Sequence, residues 1–306
     1  MKYHESVLLK ESVENLVTTP SGKYFEGTIG FGGHSEKILE KLNADAMFIG
    51  TDKDKKAFEF CVEKFKSDSR VSLYNAGFTN IGTISKIEFI DKFDGIFLDL
   101  GISSYQIDDS EAGFTFREEA DLDLRMDKKS THKASDIINY YEEKEIADII
   151  YKYGEEKNSR AIARRIIEKR NEGKINSTLQ LAKIIEEVTN PRFVNKTLTR
   201  VFQALRIFVN NELEELKIFL SGSISLLKTG GRLCIITFHS LEDRIVKEFF
   251  KYENLSCVCS TDSPVCICSK VQTLKIITRK PITPSEEELG INKRSRSAKL
   301  RVAERI

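Results

Sequence analysis

The sequence predicts an α/β fold, a parallel sheet doubly wound by helices, with a helical insertion after the fourth strand. Short apolar runs alternate with segments of helical periodicity, which is typical of βαβ units. A cluster of four glycines within EGTIGFGGHS (26–35) follows the first apolar run, where such folds turn from strand into helix. The region from Gly101 to about Thr199 contains no strand-like run, which predicts that helices fill it.

Each predicted element follows from its local pattern. SEKILEKL (35–42) and KKAFEFCVEKF (55–65) carry apolar residues at helical spacing and follow the first two strands. LLKTGGRLCIITF (226–238) combines a helix end, a Gly-Gly turn and the fifth strand. The other strands are predicted at KYFEGTI (23–29), AMFIGTD (46–52), VSLYNAGF (71–78), FDGIFLDLG (93–101) and LKIITRK (274–280).

Length and composition favour a globular protein larger than one typical domain. The 306 residues are 40% hydrophobic and 31% charged, and 48 basic against 47 acidic side chains leave the net charge at +1. Overall charge therefore indicates no partner, and any nucleic-acid signal must be local. We predict a first part of the sheet domain at 1–104, an insertion for substrate recognition at 105–199, and a second part with a basic C-terminal tail at 200–306.

The chain shows neither a signal peptide nor an apolar stretch long enough to span a membrane, which predicts a cytoplasmic protein without membrane contact. Its six cysteines are therefore not expected to form disulfides. CVCSTDSPVCIC (257–268) pairs two Cys-x-Cys units and could bind zinc. Because Cys-x-Cys is not the usual Cys-x-x-Cys knuckle, we favour a reduced hairpin and predict no metal ligand.

The glycine cluster indicates a ligand that approaches the backbone closely. Glycine removes the Cβ clash, and the helix that follows offers free N–H groups. Asp52 ends the second predicted strand 22 residues after Gly30, where a carboxylate can accept hydrogen bonds from both hydroxyls of a ribose. Nicotinamide dinucleotides and S-adenosylmethionine both use this arrangement.

Four features favour S-adenosylmethionine over a dinucleotide. The sequence from Gly30 to Ser35 lacks the final glycine of the GxGxxG fingerprint. Glu26 lies beside the glycines, where an acidic group can approach the cationic half of the cofactor. Asp99 ends the fourth strand, where class I methyltransferases place residues that meet the reacting group, and LLKTGGRL resembles their passage into strand five.

Motifs along essentially the whole chain resemble the bacterial 16S rRNA (cytosine-N4)-methyltransferase family, known as RsmH or MraW. Runs such as FHSLEDRIVK are long and unusual, so a chance match is implausible. The matching segments are HESVLLKE (4–11), EGTIGFGGHS (26–35), GTDKD (50–54), FDGIFLDLGISSYQ (93–106), GFTFREEADLDLRMD (113–127), YGEE (153–156), RVFQALRIFVNNELEEL (200–216), GGRLCIITFHSLEDRIVK (230–247) and RSAKLRVAER (296–305).

The resemblance implies a class I, Rossmann-like fold and roles for particular residues. Asp52 would hold the ribose of S-adenosylmethionine, Phe78 would lie against the adenine, and Asp99 would complete the pocket. Family members commonly have Asp at the position of Glu26 and Pro at that of Tyr105. The complete set of implied cofactor contacts is Gly32, Gly33, His34, Asp52, Phe78, Asp99 and Gln106.

Transfer to a cytosine N4 amine requires an acceptor for its proton, because the lone pair is delocalised into the ring. The end of strand four reads DLGISSYQ, so Asp99 is the candidate catalytic residue, with Ser103 or Ser104 as alternatives. Methylation at C5 would need a cysteine nucleophile, and Cys234 is expected to be buried inside strand five. His239 and Ser240 either contact the base or form hydrogen bonds within their loop.

The implied partner is 16S rRNA within the small ribosomal subunit, and the resemblance also makes a homodimer possible. Two basic clusters could meet phosphates. For the first cluster taken alone we favour a solvated helix face, whereas acidic residues are almost absent near the second. The clusters are Arg160, Arg164, Arg165, Lys169 and Arg170 in the insertion, and Lys293, Arg294, Arg296, Lys299 and Arg301 near the C-terminus. The alternatives are a non-catalytic, RNA-binding ribosome-assembly factor and a nicotinamide-dependent oxidoreductase.

Overall fold

The computed structural model describes residues 6–102, 113–128, 130–259 and 266–306. The chain forms two compact units, one from Met1–Gly101 with Leu213–Ile306 and the other from Ile102–Glu212. The first unit contains a seven-stranded sheet and the second is helical among the residues described. No helix in the described ranges is long and apolar enough to cross a bilayer.

The sheet has the order β3-β2-β1-β4-β5-β7-β6. Its first five strands are parallel, whereas β7 runs antiparallel to both β5 and β6. The doubly wound sheet predicted from the sequence is therefore present. The strands are β1 (Lys23–Glu26), β2 (Met47–Thr51), β3 (Val71–Tyr74), β4 (Phe93–Asp99), β5 (Leu227–Thr237), β6 (Leu274–Ile276) and β7 (Lys299–Arg305).

Alternate residues of the central strands pack into two different cores, one on each face of the sheet. Phe25 and Ile96 belong to one core, and their neighbours Tyr24 and Phe97 belong to the other. Because side chains alternate along a strand, both faces must be covered by helices, and the strands read as continuous apolar runs.

The helices that cover these cores and those of the second unit are numbered here in chain order. They are α1 (Leu9–Leu16), α2 (Gly33–Leu39), α3 (Lys55–Phe65), α4 (Ile81–Ile87), α5 (Ala134–Tyr140), α6 (Glu143–Gly154), α7 (Ser159–Glu172), α8 (Thr178–Glu187), α9 (Val194–Asn210), α10 (Glu212–Leu226), α11 (Ser240–Glu253) and α12 (Glu286–Ile291).

The second unit has a core of its own. Isoleucines of α5, α6 and α7 pack with Leu198, Val201 and Leu205 of the long helix α9. Its buried acid Glu156 lies 3.3 Å from both Thr197 Oγ1 and Arg200 Nη1, so it is held within the unit. The predicted insertion ended at residue 199, inside α9, whereas the contacts assign the whole of that helix to the helical unit. Because α9 is one continuous helix, its apolar face continues beyond the boundary that was predicted from composition at residue 199.

The C-terminal residues differ from the basic tail that the sequence predicted. Lys299–Arg305 form β7, which inserts between β5 and β6. Leu300 and Val302 are fully buried, and Arg301 is buried in an ion pair. Because basic side chains occupy alternate positions of β7, the sequence pattern of this segment indicated a basic tail rather than a strand. The predicted Gly-Gly turn before strand five lies inside β5, where the pairing with β4 shifts register between Phe93 and Gly95.

Candidate functional site

The candidate site lies where β1 and β4 end side by side. The strand order reverses between these two strands, and the crevice outside such a switch point is where open α/β sheets bind ligands. Glu26 ends β1 and Asp99 ends β4. Asp52 follows β2 directly, so three carboxylates occupy this edge of the sheet.

The glycine loop approaches its surroundings so closely that side chains would not fit. Gly32 has a φ of +72°, and a Cβ there would lie 2.7 Å from the Phe65 ring. A Cβ on Gly33 would collide with the Ser6 hydroxyl. At Gly30, by contrast, a Cβ would meet nothing within 4 Å. The loop is therefore packed tightly on the protein side and open at Gly30.

Two side chains of α3 fix the loop from one side. Cys61 Sγ donates to the Gly30 carbonyl at 3.2 Å, and Lys64 Nζ donates to the Gly32 carbonyl at 3.1 Å. Sequence reasoning missed both residues. Their spacing of three places them on one helical face, and this was the only signal that could have found them.

Asp52 connects the second strand to the glycine loop. Its Oδ2 accepts from the Gly30 amide at 2.8 Å, and its Oδ1 accepts from the Asp54 amide at 2.8 Å. A carboxylate has about four acceptor positions, so each oxygen can accept one more hydrogen bond. Burial raises the pKa of Asp52 to about 6. Asp52 can thus accept two further hydrogen bonds from donors in the crevice.

Glu26 is a buried acid with only one oxygen satisfied. Ser35 donates to its Oε2 at 2.7 Å, whereas Oε1 has no hydrogen-bond partner. Burial, followed by the charges of Asp99 and Asp52, raises the pKa of Glu26 well above its usual value. An uncompensated buried carboxylate is costly, and a positive ligand would relieve that cost.

Asp99 has the same character at the end of β4. Its backbone amide donates to Thr28 Oγ1 at 2.8 Å, while its buried Oδ1 has no hydrogen-bond partner. Burial and then the charge of Glu242 raise the pKa of Asp99 to about 8. His34 Nδ1 lies 3.6 Å from Asp99 Oδ2, which is too long for a hydrogen bond.

His34 is held by the N-terminal segment of the chain. Its Nε2 lies 3.0 Å from the Val7 carbonyl, which can only accept, so this nitrogen carries the proton. The ring packs on Phe97 with centroids 4.8 Å apart, and the side chain is buried. Nδ1 therefore carries a lone pair, which faces Asp99 Oδ2 without a hydrogen bond between them.

Phe78 stands beside the crevice. It is half-buried, its ring makes an edge contact with Phe219 at 5.3 Å, and a Cβ on Gly27 would lie 2.6 Å from its Cβ. Nearby, Lys53 pairs with Glu215 at 2.5 Å while its side chain lies along Gly77. The structure therefore groups Gly32, Gly33, His34, Asp52, Phe78 and Asp99 at one edge. Gln106, Ser103 and Ser104 lie outside the described residues.

The structure accounts for His239 as a helix cap. Its Nδ1 accepts from the Glu242 amide at 3.4 Å, and Glu242 Oε2 accepts from the Phe238 amide at 2.8 Å. The His239 side chain is only 9% exposed, which favours loop hydrogen bonding over contact with a base. The sequence did not predict a role for Glu242. Its charge nevertheless contributes to the raised pKa of Asp99.

The two predicted basic clusters differ in how their charges are used. On α7, Arg165 pairs with Glu187 and Glu168, and Arg170 donates to two backbone carbonyls. Near the C-terminus, Lys299 and Arg301 both pair with Asp243, at 3.0 and 2.6 Å. Lys293, Arg294 and Arg296 are exposed.

Comparison with known proteins places the chain among methylases. The model of the MraW methylase family matches residues 1–306. A protein from Caldicellulosiruptor saccharolyticus named ribosomal RNA small subunit methyltransferase H is 49% identical over 100% of both chains. A protein of the same name from Fusobacterium nucleatum is 44% identical over 99% of this chain and 97% of its own. The predicted family and class I fold are therefore confirmed.

Proposed function

Because the chain belongs to the MraW methylase family, we propose that it transfers a methyl group from S-adenosylmethionine to N4 of a cytosine in 16S rRNA of the small ribosomal subunit. The observation that carries the proposal is the acidic crevice at the end of β1 and β4. Glu26 and Asp99 each bury an oxygen without a partner there. A sulfonium and an ammonium group supply the missing positive charge.

The same crevice argues against a nicotinamide dinucleotide. A pyrophosphate carries negative charge, and it would approach the carboxyl groups of Glu26 and Asp99, whose pKa values are already raised by burial. At an effective dielectric constant of about 20, two like charges about 4 Å apart repel by roughly 4 kcal/mol. A purely RNA-binding role would leave these buried acids without a purpose.

Different residues of the crevice hold different parts of the cofactor. When bound, the cofactor supplies an electrophilic methyl group. Asp52 accepts the ribose hydroxyls, and Phe78 offers a ring face or edge to the adenine. Gly32 and Gly33 let the backbone approach the methionine part, and Glu26 Oε1 faces its positive charge. Gln106 remains part of the proposed set because of the family resemblance.

Asp99 accepts a hydrogen bond from the cytosine amino group and so directs the nitrogen lone pair at the methyl carbon. When bound, the cofactor would supply the methyl group with its sulfur as leaving group, and the amine proton would pass to the Asp99 carboxylate. Asp99 must be ionised for this, and positive charge beside it favours that form. His34 stays in the proposed set as a contact to the methionine part of the cofactor, as the family resemblance implies. The target base must leave its stack, at a cost of a few kcal/mol.

We propose that exposed Lys293, Arg294 and Arg296 contact RNA phosphates, and that the helical unit takes part in substrate recognition. Since the small ribosomal subunit is cytoplasmic, the protein is expected to act there. Homodimerisation stays a prediction.

The test is methylation of small subunits isolated from cells that lack this protein. Incubation with labelled S-adenosylmethionine should label 16S rRNA, and nuclease digestion followed by mass spectrometry should identify N4-methylcytidine. Subunits from cells that contain the protein serve as the control, because their site is already modified. Label at C5, or no label with folded protein that binds the cofactor, would contradict the proposal.

A further inference from the structure

Four cysteines meet in the segment between α11 and β6. Their Sγ atoms all lie within 4.8 Å of one another, and all four are free thiols. Cys266 Sγ lies 3.5 Å from that of Cys257, 3.9 Å from that of Cys259 and 3.6 Å from that of Cys268. The sulfurs of Cys257 and Cys268 are 3.7 Å apart.

These separations fit one shared metal ion. Zinc binds thiolate at about 2.3 Å, so the sulfurs of a regular tetrahedron are about 3.8 Å apart. A disulfide would bring two sulfurs to about 2.05 Å. Burial does not explain the cluster, since Cys257 and Cys266 are exposed.

Backbone amides also point at the sulfurs. Val258 donates to Cys268 Sγ, Cys259 to Cys257 Sγ and Ile267 to Cys259 Sγ, each at 3.4 Å. Such bonds stabilise the negative charge of thiolates and are typical of the surroundings of metal–sulfur sites. Spacing and charge stabilisation are independent observations with the same implication.

We propose that Cys257, Cys259, Cys266 and Cys268 bind one zinc ion tetrahedrally. Each thiol releases its proton as its sulfur binds. Four protein ligands leave no position for water or substrate, so the site is structural rather than catalytic. A four-iron cluster would need its cysteines further apart. The zinc site replaces the metal-free hairpin favoured from the sequence, where Cys-x-Cys spacing alone was judged unusual.

The ion cross-links a segment whose described residues leave apolar side chains exposed to solvent. Its ends are held at α11, where Lys270 pairs with Glu253 at 2.9 Å and the Thr273 amide donates to the Glu253 carbonyl at 2.9 Å. Between them, Ile267 is 88% exposed and Val271 is 71% exposed. Metal binding thus supplies the cross-link that burial does not.

The experiment measures metal in the full-length protein purified without chelators. Mass spectrometry of the metals should find about one zinc per chain. The double variant Cys257→Ser with Cys266→Ser should lose it, whereas Ile267→Ser, a matched change in the same segment, should retain it. Zinc-free protein with four reactive thiols, iron in place of zinc, or zinc retained by the double variant would each overturn the proposal.

A second measurement does not depend on the variants being folded. Wild-type protein stripped of metal and titrated with Co²⁺ should develop the intense absorption of tetrahedral cobalt thiolates, and added zinc should abolish it. Hydrogen exchange at the amides of Val258 and Ile267 should slow when zinc is restored. An octahedral cobalt spectrum would refute the four-sulfur site.

Discussion

Two acids, Asp99 in the α/β unit and Asp123 in the helical unit, have opposite surroundings. In the helical unit, Asp123 accepts from Arg125 Nε at 2.6 Å and pairs with Lys128 at 3.0 Å, and these cations lower its pKa to about 2. In the α/β unit, Asp99 keeps a buried oxygen without a partner, and its pKa rises to about 8. The fold supplies positive partners for Asp123. It supplies no hydrogen-bond partner for the buried oxygen of Asp99, which a positive ligand would stabilise.

The difference separates structural from functional carboxylates. A paired acid stabilises the unit that contains it, and its loss leaves its cationic partners uncompensated. An unpaired acid destabilises the unliganded protein and becomes favourable only with a positive ligand, which is why shifted pKa values concentrate at functional sites. Four changes test this distinction.

The largest effect is expected for Asp99→Ala. Removing the acceptor for the cytosine amine should lower kcat for rRNA methylation by about a thousandfold or more. Single-turnover assays on unmethylated small subunits would measure the loss, and binding of S-adenosylmethionine to the variant shows that the site is still formed. Wild-type turnover in the variant would remove Asp99 from the mechanism.

Conservative substitutions at the two acids should change stability in opposite directions. Asp99 is stabilising only when neutral, so its contribution is complete below about pH 4 and is lost as pH rises towards 8. Asp99→Asn should therefore raise the Tm of unliganded protein near pH 8. Asp123, with a lowered pKa, stabilises above about pH 4 and loses this effect as pH falls through 2.

Asp123→Asn should accordingly lower stability at neutral pH by roughly 3 kcal/mol, because it weakens a buried pair with Arg125. Calorimetric melting of both variants at matched pH values makes the comparison. If the Tm of both variants shifted in the same direction at pH 8, ion pairing would not explain the difference between these two acids.

The pH dependence of cofactor binding should reveal the unpaired acid directly. Asp99 attracts a sulfonium only when its carboxyl group is ionised. The preference for S-adenosylmethionine over S-adenosylhomocysteine, whose sulfur is neutral, should therefore increase as pH rises through 8. We expect a change of about tenfold, equivalent to about 1.4 kcal/mol. Both ligands carry the same amino group, so their affinity ratio isolates the sulfur charge. Calorimetric titration measures it, and Asp99→Asn should flatten the trend.

The smallest effect concerns the basic side chains. Arg165 is paired with Glu187 and Glu168, so Arg165→Ala should leave RNA affinity and its salt dependence unchanged. Replacing exposed Lys293 should weaken binding severalfold and reduce the log–log salt slope by about 1. Filter binding of small subunits at several salt concentrations would measure the affinity of the two variants. An equal loss in both variants would contradict the distinction between paired and exposed charges.

Much of the site followed from the sequence because its parts are local. A glycine cluster between a strand and a helix, and an acid after the next strand, mark a cofactor crevice wherever the sheet is parallel. Asp52 and Asp99 were predicted on that basis. Cys61, Lys64 and Glu242 were not, because their contacts join elements that the sequence does not show as neighbours. The sequence allows two roles for His239, and its capping hydrogen bonds in the structure favour the structural one.

The sequence by itself determined the family, the parallel strands and the position of the glycine loop, since these depend on periodicity and on short motifs. Tertiary structure alone decided that the C-terminal residues form β7, that Asp99 stands unpaired while Asp123 is neutralised, and that four cysteine sulfurs meet. Pairing and burial are set by segments far apart in the chain, and the free energy of a charge depends on what surrounds it in space.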